Sequence, residues 1–156
     1  MLGLARRVRW PWITKAPRVI SFVTWRLAQG QHDLGPAERD VVSQVLRHGE
    51  DSRYRLFAFV VMDDHVHVLV EPMSAPLDRL VRSWKSSSAH QLQRLHRRTA
   101  PVWQTESFDR PITGGEDLRL QAEYIVGNPW KRWPFIRGYA WVWERGDGSE
   151  GEREVH

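Results

Sequence analysis

With 156 residues the chain is long enough for one domain with a full core and short for two, and without cysteine it can build neither a disulfide framework nor a thiolate metal site. Any metal must then fall to His, Asn, Gln, Asp or Glu. A net charge of +4 with a pI near 9.9 favours an anionic partner, and nine tryptophans leave rings to spare for stacking on a single-stranded nucleic acid.

No apolar run approaches a membrane span. The patch Met1–Ala5 ahead of Arg6, Arg7 and Arg9 is too short and in the wrong order for a secretory signal, so a cytoplasmic protein is expected. Residues 1–18 mix those arginines, Lys15 and Arg18 with Trp10, Pro11, Trp12 and Pro17, which predicts an extended basic arm. Val19–Arg26, rich in β-branched and aromatic residues, predicts the first strand. Turn chemistry over 30–35 follows, and Pro36 opens a helix that carries Val41, Val42, Val45 and Leu46 at helical spacing as far as Gly49. Tyr54–Val61 and His65–Glu71 read as a hairpin joined by Met62, Asp63 and Asp64.

Ser74 is placed to cap a second helix from Pro76 to Arg98, whose apolar stripe is Leu77, Leu80, Val81, Trp84, Ser88, Leu92 and Leu95. Arg79, Arg82, Lys85, Arg94, Arg97 and Arg98 lie mostly off that stripe with Asp78 as the only acid among them. Such a one-signed surface suits an anion, although a solvated helix face carries the same charges. Val102–Gln104 predicts a short strand, followed by Phe108–Ile112. After the Thr113-Gly114-Gly115 turn a last helix runs from Glu116 to Asn128, where Pro129 disfavours continuation. Residues 139–156 read as a polar, loosely held tail. The organisation expected is an arm (1–18), one domain (19–138) and a tail (139–156). The order βαββαβ plus a helix predicts an α+β, ferredoxin-like or RRM-like antiparallel sheet with helices on one face and the C-terminal helix added.

Two stretches carry chemistry. In the valine-rich strand, side chains alternate faces, so His65 and His67 project together while Val66, Val68 and Val70 project the other way. Two imidazoles on one face make half of a metal site, and two half-exposed strand histidines leave the same pattern. On the last helix Leu118, Ala122 and Ile125 share one face, and Asp117, Gln121, Tyr124 and Asn128 form a neighbouring polar stripe. This allows the Asn128 carboxamide to complete a site with His65 and His67 while the Tyr124 phenol points at whatever the metal holds. A helix-edge tyrosine and an asparagine cap before Pro129 fit the spacing equally.

The run Asp64–Glu71, together with Tyr124-Ile125-Val126-Gly127-Asn128-Pro129, resembles the single-tyrosine HUH transposases, IS200-like, and within them the REP-associated tyrosine transposases. Phe22–Arg26 is similar to that family's first strand, Leu80–Ser86 to its basic helix, and Val102–Gln104 with Phe108–Arg110 to its fourth-strand region. The matches run in the family's order from Val19 to Pro129. The chain departs from the pattern at Asp63-Asp64, often Pro-Asn, and at Trp130-Lys131-Arg132-Trp133, often a valine, arginine, alanine, glycine run.

The resemblance implies a metal-dependent endonuclease and strand transferase acting on single-stranded DNA at hairpins of the repetitive extragenic palindrome type. Tyr124 would become joined to the 5′ phosphate, and His65, His67 and Asn128 would hold magnesium or manganese. A free phenol with pKa about 10 is ionised to roughly one part in a thousand at neutral pH, so such a nucleophile needs help. His32, His48, His90 and His96 are candidate bases by residue type alone. DNA contacts are expected from Arg82, Lys85, Arg6, Arg7 and Arg9, with no membrane partner, and with the protein on the nucleoid when bound. Both monomer and homodimer fit. A non-catalytic module holding structured DNA or RNA on the same fold is the alternative, and it has no need for His65, His67, Tyr124 and Asn128 together.

Overall fold

The computed structural model describes residues 19–146 and the strand 152–154. The valine and aromatic runs form β1 (Ser21–Arg26), β2 (Tyr54–Val61) and β3 (His65–Pro72), and β4 (Phe108–Pro111), β5 (Val142–Arg145) and β6 (Glu152–Glu154) complete one antiparallel sheet in the order β4-β1-β3-β2-β5-β6. The helices are α1 (Pro36–His48), α2 (Leu77–His96) and α3 (Gly115–Arg132). The segment β4-β1-β3-β2 with βαββαβ chain order is the ferredoxin-like arrangement expected.

The two faces of the sheet are buried by different helices. Val23 and Trp25 of β1 and Val66, Val68 and Val70 of β3 join a core with Val42 and Leu46 of α1 and Leu80, Trp84 and Leu92 of α2. On the opposite face Phe22, Ala58, Val60, Met62 and Leu69 pack with Ile125 of α3, Tyr139 and Val142. Helix α3 therefore lies on the face toward which His65 and His67 project.

Several expectations are corrected. The tail expected from Tyr139 does not begin there: Tyr139 is buried, Val142 enters the second core, and Trp143 stacks on Phe59 while β5 pairs with β2. Apolar and aromatic contacts outweigh the polar composition that follows. Helix α3 runs through Pro129 to Arg132. Proline forfeits one backbone bond, but Trp130 and Trp133 pack on the second core and the Trp130 indole donates to the Ile136 carbonyl at 3.1 Å. Asn128 is consequently inside the helix rather than its cap. Val102–Gln104 forms only a bridge, Trp103 opposite Leu27, and the edge strand is β4. Ser74 does not cap α2, because Pro76 occupies the N-cap position and makes no side-chain cap bond.

At the other end of α2, Leu95 is 55% exposed and Arg97 adopts left-handed geometry (φ 59°), turning Arg98 inward. Arg98 is thus no part of a cationic surface. Its guanidinium donates to Glu38 (Nε to Oε2 2.5 Å, Nη2 to Oε1 2.9 Å), to the Gln31 amide oxygen and to the carbonyls of His32 and Asp33, tying the end of α2 to the start of α1. Burial alone would raise the Glu38 pKa, but hydrogen bonds from Arg98 and the Gly35 N–H outweigh it and hold the carboxyl below its usual value.

Arg98→Met is expected to lower unfolding free energy by about 3–5 kcal/mol, since it strands a buried carboxylate, and Arg98→Met with Glu38→Leu should recover part of the loss in urea denaturation. Because the folded-state pKa of Glu38 is lowered, its stabilisation is present above the unfolded pKa and lost as pH falls through the folded one.

Candidate active site

The site is assembled where α3 crosses β3. His65 and His67 project side by side, their ring centroids 4.7 Å apart, and both are buried. Each is held by one ring nitrogen. His65 Nδ1 lies 2.7 Å from Asp64 Oδ1, and His67 Nδ1 lies 2.7 Å from Thr24 Oγ1, its cross-strand neighbour on β1. With Nδ1–H donating to these oxygens, both rings keep a lone pair on Nε2. This is the pattern by which histidines are oriented for a metal. Burial first, then the charges of His65 and Arg26, pushes the His67 pKa down to about 3, so its ring stays neutral and able to ligate near pH 7.

From α3, Tyr124 brings its ring 5.4 Å from that of His67 and 6.1 Å from that of Phe22, which also stacks on His67 at 5.3 Å. Tyr124 is 40% exposed, so the ring is fixed on one side and open on the other. Asn128 follows one turn later and is buried. Lys131, read from the sequence only as part of the departure at Trp130-Lys131-Arg132-Trp133, sets its ammonium 4.8 Å from the Tyr124 ring centroid. Its position seven residues beyond Tyr124, two helical turns on the same face, was the available signal.

Both ends of α3 are fixed. Asp117 accepts two 2.9 Å bonds from Arg110 of β4, whose hydrogen bonds hold its carboxyl well below the usual range. At the far end Arg132 donates to Asp63 at 2.9 Å and lies 3.8 Å from Asp64. The acids at the departure Asp63-Asp64 thus have separate tasks: Asp63 receives the tyrosine helix and Asp64 orients His65. Burial raises the Asp63 pKa, partly offset by Arg132. For Asp64 burial acts the same way, but the His65 hydrogen bond and the charges of His65 and Arg132 prevail and lower it.

Among the described residues no three His, Cys, Asp or Glu are grouped to hold a metal. In kind, the donors on the two facing elements, the imidazole Nε2 atoms of β3 and the Asn128 carboxamide oxygen of α3, are the nitrogen and oxygen ligands that a hard divalent ion takes. The donor set fits.

Of the cations expected to contact DNA, Arg82 and Lys85 lie away from this site. Arg6, Arg7 and Arg9 lie outside the described residues. Arg82 and Lys85 are on α2, across the sheet, where they line a cavity of about 510 Å³ with Trp103 and the 104–107 loop. Arg82 lies 3.5 Å from Asp78. Lys85 donates to the carbonyls of Gln104 (2.7 Å) and Thr105 (3.1 Å) and to the Ser107 hydroxyl (3.0 Å), so its ammonium holds the loop that leads into β4. His32, His48, His90 and His96 all belong to the α1 and α2 side, and His32 is bonded to Arg98, which removes them as bases for Tyr124.

The family model described as "Transposase IS200 like" matches residues 35–128, more than half of the chain. No curated protein matches. Among solved structures, a REP-associated tyrosine transposase bound to a REP hairpin superposes with a TM-score of 0.66 at 17% identity, covering 83% of this chain and 82% of that one. A protein from Deinococcus radiodurans assigned as a transposase gives 0.55 at 19% identity, covering 74% and 94%. At these identities the likeness establishes the fold.

The lowered His67 pKa has a direct test. Its ring resonances should show no titration between pH 8 and pH 5. Between about pH 6.5 and 3 the unfolded chain binds a proton that the folded one refuses, so stability should decline as the pH is lowered through that window, and His67→Gln should flatten that limb.

Proposed function

Since this chain belongs to the IS200-like transposase family, an HUH nuclease family, we propose that it is a metal-dependent endonuclease and strand transferase of single-stranded DNA with Tyr124 as nucleophile. The observation that carries this reading is the Tyr124 ring at 5.4 Å from that of His67, beside two imidazoles whose Nδ1 atoms are both engaged. The substrate is a strand bearing a hairpin of the repetitive extragenic palindrome type, a choice supported by likeness in fold to a transposase bound to a REP hairpin.

In the proposed step the Tyr124 oxygen attacks the scissile phosphorus and loses its proton. The bond to the 3′ oxygen breaks, that oxygen takes up a proton, and one piece leaves with a 3′ hydroxyl while the other stays joined to Tyr124 through its 5′ phosphate. Attack by a 3′ hydroxyl on this phosphotyrosine reverses the step and completes strand transfer. Magnesium or manganese, held by His65, His67 and Asn128, would supply Lewis-acid stabilisation of the phosphate and of the leaving oxygen. Thr24 and Asp64 keep the imidazoles in register for that role, and Phe22 supports both His67 and Tyr124 from beneath. Lys131 adds a positive charge beside the nucleophile, where the phosphate's negative charge docks. Arg82 and the arm residues Arg6, Arg7 and Arg9 contact phosphates away from the reacting bond, and Lys85 acts through the loop it holds.

Tyr124→Phe should abolish cleavage and the covalent protein–DNA band on a hairpin-bearing strand while binding of the uncut strand is nearly unchanged. An adduct at Tyr54 or Tyr139 would count against the assignment. Thr24→Val should weaken manganese binding by roughly 10- to 100-fold in calorimetry without loss of fold, as removal of a partner behind a histidine ligand does. Arg82→Ala should lower the slope of log affinity against log salt by about 0.7 and leave the cleavage rate at saturating DNA unaltered.

A further inference from the structure

The rows of side chains across the histidine face extend beyond α3 to the edge of the sheet. In one row Phe108 of β4 stands opposite Thr24, Thr24 opposite His67, and His67 opposite Val60. In the next, Arg26 stands opposite His65. Directly opposed residues in antiparallel strands project to the same side, so Phe108 and Arg26 share the face of the histidine pair. Two strand spacings, about 10 Å, separate the Phe108 row position from that of His67. Helix α3 covers Phe22, which is buried, and leaves Phe108 57% exposed. Arg26 is exposed too, and its charge acts on Asp64 and His67 beside it.

Exposed apolar side chains scattered singly need no explanation, and Leu95 and Leu120 are of that kind. Phe108 differs in its surroundings. An aromatic ring open to solvent, near an exposed guanidinium, on the sheet face that carries the nucleophile's partners, is the combination that binds single-stranded nucleic acid: a stacking surface for one base and a cation for the backbone. Resting on the reading of this site as a single-strand nuclease, we propose that Phe108 is the platform for a base of the unpaired strand flanking the scissile phosphate, with Arg26 contacting the adjoining backbone. Phe108 is then a binding residue that places the scissile bond over Tyr124. The Lys85-held loop, which delivers the chain into β4, fixes where that platform begins.

The test compares two oligonucleotides from DNA beside the gene, one carrying the hairpin with its unpaired flank and one the hairpin alone, against wild type, Phe108→Ala, Phe108→Trp and Arg26→Gln. Phe108→Ala should bind the flanked strand about 5- to 150-fold more weakly, the range expected for loss of one stacked base, with an unchanged salt slope. Its affinity for the hairpin alone should match wild type. Phe108→Trp should retain binding, and Arg26→Gln should lower the salt slope by about 0.7. If Phe108→Ala binds the flanked strand as wild type does, or weakens both oligonucleotides equally, the platform is refuted and the nuclease reading stands. If wild type binds neither strand, both fall. An unchanged melting temperature of Phe108→Ala, expected for so exposed a ring, separates these results from misfolding.

Discussion

The alternation of side chains along β3 is the constraint on which the molecule depends. Val66, Val68 and Val70 are drawn into the core beneath α1 and α2, and this alone forces His65 and His67 onto the other face. A one-residue slip of the strand would bury the imidazoles among valines and tryptophans and turn the valines toward Tyr124. The register is fixed by β1 and β2 on either side, and by Leu27 and Leu34, whose N–H groups donate to the carbonyls of Asp64 and Asp63. Hydrophobic burial on one face thereby sets the chemistry on the other.

Convergence then requires α3 to be held against that second face. Ile125 is buried in its core, Arg110 grips the first turn through Asp117, and Arg132 ties the last turn to Asp63. The helix is short of apolar length and is interrupted in its bonding by Pro129, so these polar ties and the packing of Trp130 and Trp133 carry much of its position. The hairpin turn serves two ends, since Asp63 anchors the tyrosine helix and the next residue, Asp64, orients the first histidine. Strand, turn and helix are in this way mechanically one unit around Tyr124, His65 and His67.

What could be read from the sequence is what local periodicity encodes. The period of two in β3 and the helical spacing in α3 put the histidine pair and Tyr124 on the faces they occupy. Features that depend on partners far along the chain were not legible. Nothing local marks Arg98 as the buried partner of Glu38, 60 residues away, or Thr24 as the hydroxyl behind His67. Lys85 looked like a surface cation because the loop carbonyls that receive it are 19 or more residues distant. The rule that proline ends a helix failed at Pro129, where tertiary packing of two tryptophans exceeds the loss of one bond. The polar composition after Tyr139 likewise hid a strand, because Val142 and Trp143 suffice to seat it against β2.

If the histidine face of β3 and the polar stripe of α3 form one metal and nucleophile centre, a divalent ion should bind between them. Crystals of the protein soaked in manganese and measured for anomalous scattering test it most directly. One strong peak is expected at bonding distance from Nε2 of both His65 and His67 and from the Asn128 carboxamide oxygen, with the Tyr124 hydroxyl facing it. A peak on Asp63 or Asp64 instead, or a metal bound through either Nδ1 with Thr24 or Asp64 displaced, would contradict it.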